Sequence, residues 1–215
     1  MPIRSTSLLR LAAAVSLLPA AGLNAQVHHQ QHPPQSSAEY ARVLEDPSRD
    51  AWQKPHEVIM ALELKSTETI ADIGAGSGYF SRRFANHAGK VYAVDIDKDL
   101  LALAAKDAPA NLSTILAEPN DPKLPAGGVD TIFLCDVLHH ISGRPAYYGK
   151  LRAALKPGGR IVIVDFYKKD LPVGPPPAMK LSDDEVKKEL AAAGFRLVKS
   201  HEFLPHQYFL VFQAR

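Results

Sequence analysis

Three glycines at alternate positions, Gly74, Gly76 and Gly78, form the clearest candidate ligand-binding feature of the sequence. The surrounding segment Ala71–Tyr79 reads ADIGAGSGY and follows a short apolar run that is typical of a strand. Glycines let the backbone turn sharply and approach a ligand closely, and a helix that starts just after such a loop favours negative charge. The spacing therefore predicts a loop that binds a nucleotide-like molecule.

Two acidic residues narrow the kind of ligand. A dinucleotide loop has the spacing G-x-G-x-x-G, but its third glycine would fall at position 79, which is Tyr79. The carboxylate of Asp72, just before the glycines, could pair with a cationic amine and would repel a pyrophosphate. Asp95 ends the next apolar run, where an acidic side chain can accept hydrogen bonds from both ribose hydroxyls. The missing third glycine and Asp72 argue against a nicotinamide-dependent oxidoreductase.

A second polar segment, Asp136–His140, follows the apolar run Val129–Cys135. Ligands of open α/β sheets bind at the carboxyl ends of the strands, and histidine titrates near neutral pH. His139 and His140 are therefore candidate general bases, a role that is needed only for a nucleophile that starts protonated. Packing against a helix or lining the pocket remains an alternative role for either histidine.

Helical and strand patterns alternate from residue 39 onward, which predicts an α/β fold. The predicted strands are Thr69–Ile73, Lys90–Asp95, Leu112–Ala117, Val129–Cys135, Arg160–Phe166, Phe195–His201 and Gln207–Gln213. The predicted helices are Glu39–Leu44, Pro55–Leu62, Tyr79–His87, Asp99–Ala105, Arg144–Leu155 and a helix capped by Ser182 that runs to Ala193. The last two strands are joined by a short turn, so the sheet is expected to end with an antiparallel strand.

Composition limits the range of functions. The 215 residues are 46% hydrophobic and 22% charged, which suffices for one globular domain. The formal net charge of +2 gives no reason to expect nucleic acid as a partner. The single cysteine, Cys135, cannot form an internal disulfide or a zinc site, and its apolar neighbours predict a buried, inert thiol. The sequence predicts no metal site and does not define an oligomeric state.

The N-terminus resembles a targeting segment rather than part of the fold. Residues 1–25 combine Arg4 and Arg10 with a short apolar run and predict a secretory signal peptide. Residues 26–38, rich in histidine, proline and glutamine, predict a flexible linker, and residues 39–215 form the predicted domain. The apolar run is shorter than the about 20 residues that a bilayer requires, so we expect no membrane span after signal removal. The expected location is the periplasm.

The residues around the glycine loop closely resemble motif I and the acidic position after it in class I S-adenosylmethionine-dependent methyltransferases. The matching residues are Asp72, Ile73 and the three glycines, with Asp95 at the end of the second strand. The resemblance covers the chain from about Trp52 to the C-terminus, and the longer pattern resembles a bacterial subgroup of predicted methyltransferases with a signal peptide. It implies a Rossmann-like seven-stranded mixed sheet in the order 3-2-1-4-5-7-6, with strand 7 antiparallel and helices on both faces.

The resemblance also implies roles for individual residues toward S-adenosylmethionine. Asp72 would hold the amino group, Asp95 the ribose, and Glu118 the adenine amine. The other implied cofactor contacts are Gly74, Ala75, Gly76 and Gly78 against the methionine portion, Tyr79 beside it, Ile96 on the adenine, and Asp136 near the methyl group. Export would be in tension with the cytoplasmic synthesis of this cofactor.

The predicted function is methyl transfer to a small-molecule or lipid acceptor. A non-catalytic protein that binds S-adenosylmethionine or S-adenosylhomocysteine is the main alternative, because the same loop would serve it. Trp52 and the segment His206–Tyr208 could line a substrate pocket, but core packing and a strand-edge role are equally open for them.

Overall fold

The computed structural model describes Met1 and residues 36–215. The remainder of the predicted signal peptide and residues 26–35 of the predicted linker lie outside the described residues. Helix α1 begins at Ser37, two residues before the expected domain boundary. The reason is a capping box, in which the side chains of Ser36 and Glu39 each accept a hydrogen bond from the other residue's backbone N–H.

One seven-stranded sheet organises the fold, and its order β3-β2-β1-β4-β5-β7-β6 confirms the order that the resemblance implied. Strands β1 to β5 are parallel, and β7 runs antiparallel to both β5 and β6. The strands are β1 (Thr69–Ile73), β2 (Lys90–Asp95), β3 (Leu112–Leu116), β4 (Val129–Cys135), β5 (Leu155–Phe166), β6 (Phe195–His201) and β7 (Gln207–Ala214).

Seven α-helices accompany the sheet in the described part of the chain. They are α1 (Ser37–Leu44), α2 (Asp50–Gln53), α3 (Pro55–Leu62), α4 (Tyr79–Phe84), α5 (Lys98–Ala105), α6 (Arg144–Ala154) and α7 (Asp183–Ala192). Even α6 has only 11 residues, and no helix in this part of the chain is long and apolar enough to cross a bilayer.

The core consists of two apolar clusters on opposite faces of the sheet. Side chains alternate along β4, so Phe133 joins one cluster while its neighbours Ile132 and Leu134 join the other. Phe133 packs edge-on against Phe80 and Phe84 of α4, with ring centroids 5.0 Å apart in both pairs. Burial on both faces explains why the central strands are continuous apolar runs in the sequence.

Two predicted boundaries are wrong by three residues or more, both for local reasons. Strand β5 begins at Leu155 rather than Arg160, because Leu155 pairs with Val129 and the following residues enter the sheet through a shift in register. Helix α4 ends at Phe84 rather than His87. The turn that follows α4 is held instead by Asn111, whose side-chain amide donates hydrogen bonds to two of the turn's carbonyl groups.

The topology brings the polar residues to one edge of the sheet. Strands β1, β2, β4 and β5 are parallel, so the segments that follow them lie at the same end. The hairpin of β6 and β7 adds Gln207, which pairs with Phe166 at the carboxyl end of β5. Residues from both halves of the chain therefore share this edge.

Candidate active site

The glycine loop is held against the end of β2 by three hydrogen bonds that its backbone N–H groups donate. The N–H groups of Gly74 and Ala75 donate to the carbonyl oxygen of Val94, at 2.8 and 3.1 Å. The N–H of Gly76 donates to Asp95 Oδ2 at 2.8 Å. The loop and the carboxylate that was predicted to bind ribose are thus one hydrogen-bonded unit.

Glycine is required in this loop for both conformation and space. Gly74, Gly76 and Gly78 all have positive φ angles, of +72°, +54° and +92°, which other residues adopt rarely. A Cβ atom on Gly74 would lie 2.5 Å from Val137, and one on Gly76 would lie 2.7 Å from Leu44. The loop can therefore present its backbone to a ligand only because it lacks side chains at these positions.

Asp95 retains acceptor capacity for a ligand. Its Oδ1 accepts a hydrogen bond from Asp97 N–H and its Oδ2 accepts one from Gly76 N–H, whereas a carboxylate has about four lone-pair sites. Burial raises the pKa of Asp95 above its ordinary value, although these N–H groups favour the ionised form. Ile96, the next residue, is 60% exposed and offers an apolar surface beside the carboxylate.

Asp72 is a buried carboxyl, with 3% of the residue exposed. Its Oδ2 accepts a hydrogen bond from Ser81 Oγ at 2.5 Å. Burial raises the pKa of Asp72 to about 7, and the nearby charge of Asp95 acts in the same direction. A cationic amine placed beside Asp72 would therefore restore its ionised form at neutral pH.

Glu118 lies on the exposed loop after β3. Its carboxylate forms an ion pair with Lys123 at 2.6 Å, and its backbone forms a two-way bridge with Asp121. The structure thus places Glu118 at the end of the third strand, as expected, but with its side chain paired to a neighbour in the same loop.

An N-terminal cap, defined here as residues 37–53, packs across the glycine loop. Glu45 accepts hydrogen bonds from Ser77 Oγ and from the Arg82 guanidinium, both at 2.7 Å. The Tyr79 hydroxyl donates to Asp50. The cap therefore contacts the loop and the helix that follows it through two hydroxyl–carboxylate hydrogen bonds and the ion pair of Glu45 with Arg82.

A closed polar ring, made of Arg49, Gln53, Gln207 and Asp136, joins the cap to the sheet edge. Arg49 donates to Gln53 Oε1 at 3.1 Å, and Gln53 Nε2 donates to Gln207 Oε1 at 2.7 Å. Gln207 Nε2 donates to Asp136 Oδ1 at 2.6 Å, and Arg49 lies 3.7 Å from the other carboxylate oxygen. Both glutamines are fully buried. Burial and the charge of Asp165 raise the pKa of Asp136, and Arg49 opposes this shift.

His139 and Asp165 form a buried pair next to this ring. His139 Nδ1 lies 2.9 and 3.0 Å from the two carboxylate oxygens, and the two side chains are 2% and 0% exposed. Burial alone would lower the pKa of His139, but the hydrogen bond and charge of Asp165 outweigh it and raise the pKa. His140 is exposed, and its ring centroid lies 4.1 Å from that of His139. The two predicted base candidates thus have different surroundings.

Four residues of this edge are absent from the sequence-based predictions: Tyr40, Arg49, Gln53 and Asp165. Tyr40 belongs to the cap and lies within the electrostatic reach of Arg49, Asp95 and Asp136, while burial raises its pKa. A signal for Asp165 does exist, since it is the one carboxylate in the apolar strand segment IVIVDF. The cap residues carry no comparable signal, because their partners are distant in sequence.

Comparison with known proteins agrees with this geometry. Residues 71–163 match the family model described as a methyltransferase domain. The crystal structure of a SAM dependent methyltransferase from Aquifex aeolicus superimposes with a TM-score of 0.78 at 26% identity, over 84% of this chain and 100% of that one.

Two curated relatives show similarity over shorter stretches. Phosphoethanolamine N-methyltransferase 1 of Arabidopsis thaliana is 26% identical over 117 residues, which are 51% of this chain and 23% of that protein. Ubiquinone/menaquinone biosynthesis C-methyltransferase UbiE of Burkholderia vietnamiensis is 27% identical over 105 residues, or 46% and 43% of the two chains. The chain spans less than half the length of these curated relatives.

The strand order, the glycine loop and the matched domain together define a Rossmann-like methyltransferase domain. Residues 71–163 match the methyltransferase-domain family, and the fold is similar to that of the SAM dependent methyltransferase from Aquifex aeolicus, in agreement with the resemblance found in the sequence. The glycine loop beside Asp95 and the buried carboxyl of Asp72 fit a cofactor that carries a ribose and an amine. The narrower subgroup with a signal peptide stays a prediction.

Replacing Asp72 with asparagine tests the charge of this buried group. The pKa of Asp72 is about 7 in the fold and about 4 when unfolded, so the folded state binds the proton more tightly and wild-type stability falls as pH rises across that window. Asp72→Asn stays neutral and should melt several degrees above the wild type at pH 8, since ~1 kcal/mol shifts Tm by about 2–4 °C in a domain of this size. The advantage should shrink at pH 5. The affinity of Asp72→Asn for S-adenosylmethionine should fall about tenfold or more, because the variant loses one charge-assisted hydrogen bond to the cofactor.

Differential scanning fluorimetry and calorimetric titration would measure both effects. Asp170→Asn, which removes an exposed carboxylate, is the matched control and should leave the pH profile of Tm unchanged. A wild type that melts above Asp72→Asn at every pH would contradict the assignment of a raised pKa.

A double-mutant cycle on the two buried glutamines tests the polar ring. Gln53→Leu and Gln207→Leu each leave a buried polar partner unsatisfied and should each lower the free energy of unfolding by about 1–3 kcal/mol. The double variant should lose at least ~1 kcal/mol less than the sum, because it removes both partners and leaves Arg49 and Asp136 to pair. Urea denaturation gives the three values, with Gln213→Leu near the other end of β7 as control. Strict additivity would show that the two amides do not interact.

Proposed function

We propose that this protein transfers the methyl group of S-adenosylmethionine to a small-molecule or lipid acceptor. The proposal rests on one observation, which is that a loop unit suited to this cofactor and a buried histidine–carboxylate pair lie at the same sheet edge. The loop unit is the hydrogen bond of Gly76 to Asp95, and the pair is His139 with Asp165. In this proposal, cofactor binding and proton transfer are carried out by different residues of one site.

The proposed contacts follow the groups that retain hydrogen-bonding capacity or exposed surface. Asp95 accepts hydrogen bonds from the ribose hydroxyls, and Ile96 packs on the adenine. Asp72 neutralises the amino group of the methionine portion. Glu118 accepts a hydrogen bond from the adenine amine, and its exposed ion pair with Lys123 opposes this contact little.

S-adenosylmethionine supplies an electrophilic methyl group that is bonded to a sulfonium sulfur. The acceptor would attack the methyl carbon in line with the C–S bond, and the electron pair of that bond leaves on sulfur. The chain has to align the acceptor with that bond and exclude water. The N-terminal cap covers the glycine loop and so excludes water from it, and we propose that Asp136 and His139 lie on the side of the acceptor. His139 can take the proton of an acceptor that starts protonated.

The acceptor class is supported by the relatives, whose names refer to phosphoethanolamine and to ubiquinone and menaquinone biosynthesis. A radiolabelled-methyl assay should therefore start with phosphoethanolamine, demethylated quinols and phospholipid vesicles. Transfer of label with matching formation of S-adenosylhomocysteine is the expected result. Tight cofactor binding without transfer to any acceptor in the panel would favour the alternative, a non-catalytic binding protein.

The Asp95→Ala variant tests the proposed ribose site. Loss of two hydrogen bonds to a charged acceptor should weaken S-adenosylmethionine binding by about 100-fold or more, because each is worth about 1.5–3 kcal/mol. Asp97→Asn is the matched control, since asparagine can still cap α5 and the affinity should change by less than about threefold. Calorimetry on both variants, with NAD as a second ligand, gives the comparison. Unchanged affinity in a folded Asp95→Ala protein would place the ribose elsewhere.

We also propose that the protein is exported, on the basis of the charged and apolar pattern in residues 1–25. Fused to a reporter that is active only in the periplasm, residues 1–30 should give activity there. A fusion with Arg4 and Arg10 replaced by glutamate is the control and should lose export. Retention of the unaltered fusion in the cytoplasm would remove the localisation proposal.

A further inference from the structure

The buried pair of His139 and Asp165 has a geometry that favours one tautomer of the histidine. Both carboxylate oxygens lie within 3.0 Å of the same ring nitrogen, Nδ1. Because a carboxylate accepts hydrogen bonds, contact of both its oxygens with one ring nitrogen favours the form of His139 in which Nδ1 carries the proton. The lone pair of the neutral ring therefore resides on Nε2.

Asp165 is itself held in place. It lies near the end of β5, is fully buried, and its Oδ1 also accepts a hydrogen bond from the backbone N–H of Phe166 at 2.8 Å. His139 lies in the short 3-10 helix that follows β4, and β4 pairs directly with β5. The orientation of the imidazole is thus set by a carboxylate on β5, which it contacts from the short 3-10 helix after the neighbouring strand β4.

We infer that Asp165 is a positioning residue, which holds His139 in the Nδ1–H form so that Nε2 serves as the proton acceptor for the methyl acceptor. The inference rests on the proposed function and narrows its substrate class. The acceptor is a group whose nucleophilic atom carries a proton, such as a hydroxyl, an amine or an acidic carbon, rather than a thioether or a tertiary amine.

The proton and the electrons balance in this step. The nucleophilic atom forms a bond to the methyl carbon, and the electron pair of the C–S bond leaves on sulfur. The proton of the nucleophile moves to His139 Nε2, and the resulting imidazolium is stabilised by Asp165 through Nδ1–H. No oxidant or further reactant is needed.

Charged groups from several elements face His139. Asp165 of β5 and Asp136 after β4 favour the protonated ring, whereas burial and Lys180, which precedes α7, disfavour it. His140 contacts the ring from the same 3-10 helix. The two carboxylates prevail, so the pKa of His139 is raised, which suits a base that must accept a proton near neutral pH.

Nitrogen-15 NMR of the histidine rings in the full-length protein reads this state directly and needs no acceptor. The resonances of His139 are assigned as those lost in His139→Gln. In the wild type, we expect the neutral ring to be protonated on Nδ1 only, with a pKa above 6.5. In Asp165→Asn, the side-chain amide can donate to the ring, so the tautomer should shift toward Nε2–H and the pKa should fall by about one unit or more.

Asp136→Asn separates the hydrogen bond from the charge. It removes the neighbouring carboxylate but leaves Asp165 in contact with Nδ1, and asparagine tolerates the φ of +57° at this position. The pKa of His139 should fall while the Nδ1–H tautomer persists. An Nε2–H tautomer in the wild type, or an Asp165→Asn protein with unchanged tautomer and pKa, would overturn the inference, and the wild-type spectrum decides even if Asp165→Asn does not fold.

Calorimetric binding of S-adenosylmethionine to the same wild-type sample distinguishes this inference from the proposed function. If S-adenosylmethionine does not bind, the proposed function is contradicted, whichever tautomer His139 has. If S-adenosylmethionine binds but the neutral ring of His139 carries its proton on Nε2, only the role of Asp165 and the restriction to protonated acceptors are contradicted.

Discussion

The hydrogen bond from the Gly76 N–H to the Asp95 carboxylate is the contact on which the site depends. It can form only because Gly74 and Gly76 adopt positive φ angles and leave no side chain in the way. Since β1 and β2 are adjacent parallel strands, this contact fixes the position of the loop after β1 relative to the carboxylate that ends β2. The cap then packs across a loop whose shape is already determined.

Two buried carboxyl groups, Asp72 and Asp165, and the partly buried carboxyl group of Asp136 lie at the same edge. Burying an ionised carboxylate is costly unless it is paired or hydrogen-bonded, and each of the three is compensated differently. Asp72 has a serine hydroxyl and a pKa near neutrality, Asp136 has the polar ring, and Asp165 has a histidine and a backbone N–H. The polar ring and the pair of His139 and Asp165 together connect the N-terminal cap to the side of the site that we assign to the methyl acceptor.

The sequence predicts much of this arrangement because its main features are local. Strands β1, β2 and β4 have the predicted bounds, since apolar runs between turn residues are strong strand signals, and the loop glycines mark the site. The strand order came from family resemblance and not from periodicity. The ring joining Gln53 to Gln207 could not be foreseen, because long-range side-chain pairing leaves no local pattern. The pairing of Glu118 with Lys123 depends in the same way on the actual path of a surface loop.

The most direct test of this account is a crystal structure of the full-length protein with S-adenosylhomocysteine. The account predicts that both ribose hydroxyls hydrogen-bond to Asp95, that the amino group lies beside Asp72, and that the sulfur faces His139 and Asp136. A ligand bound away from the glycine loop, or bound there with its sulfur turned away from His139, would contradict the central claim that one sheet edge holds both the cofactor and the base.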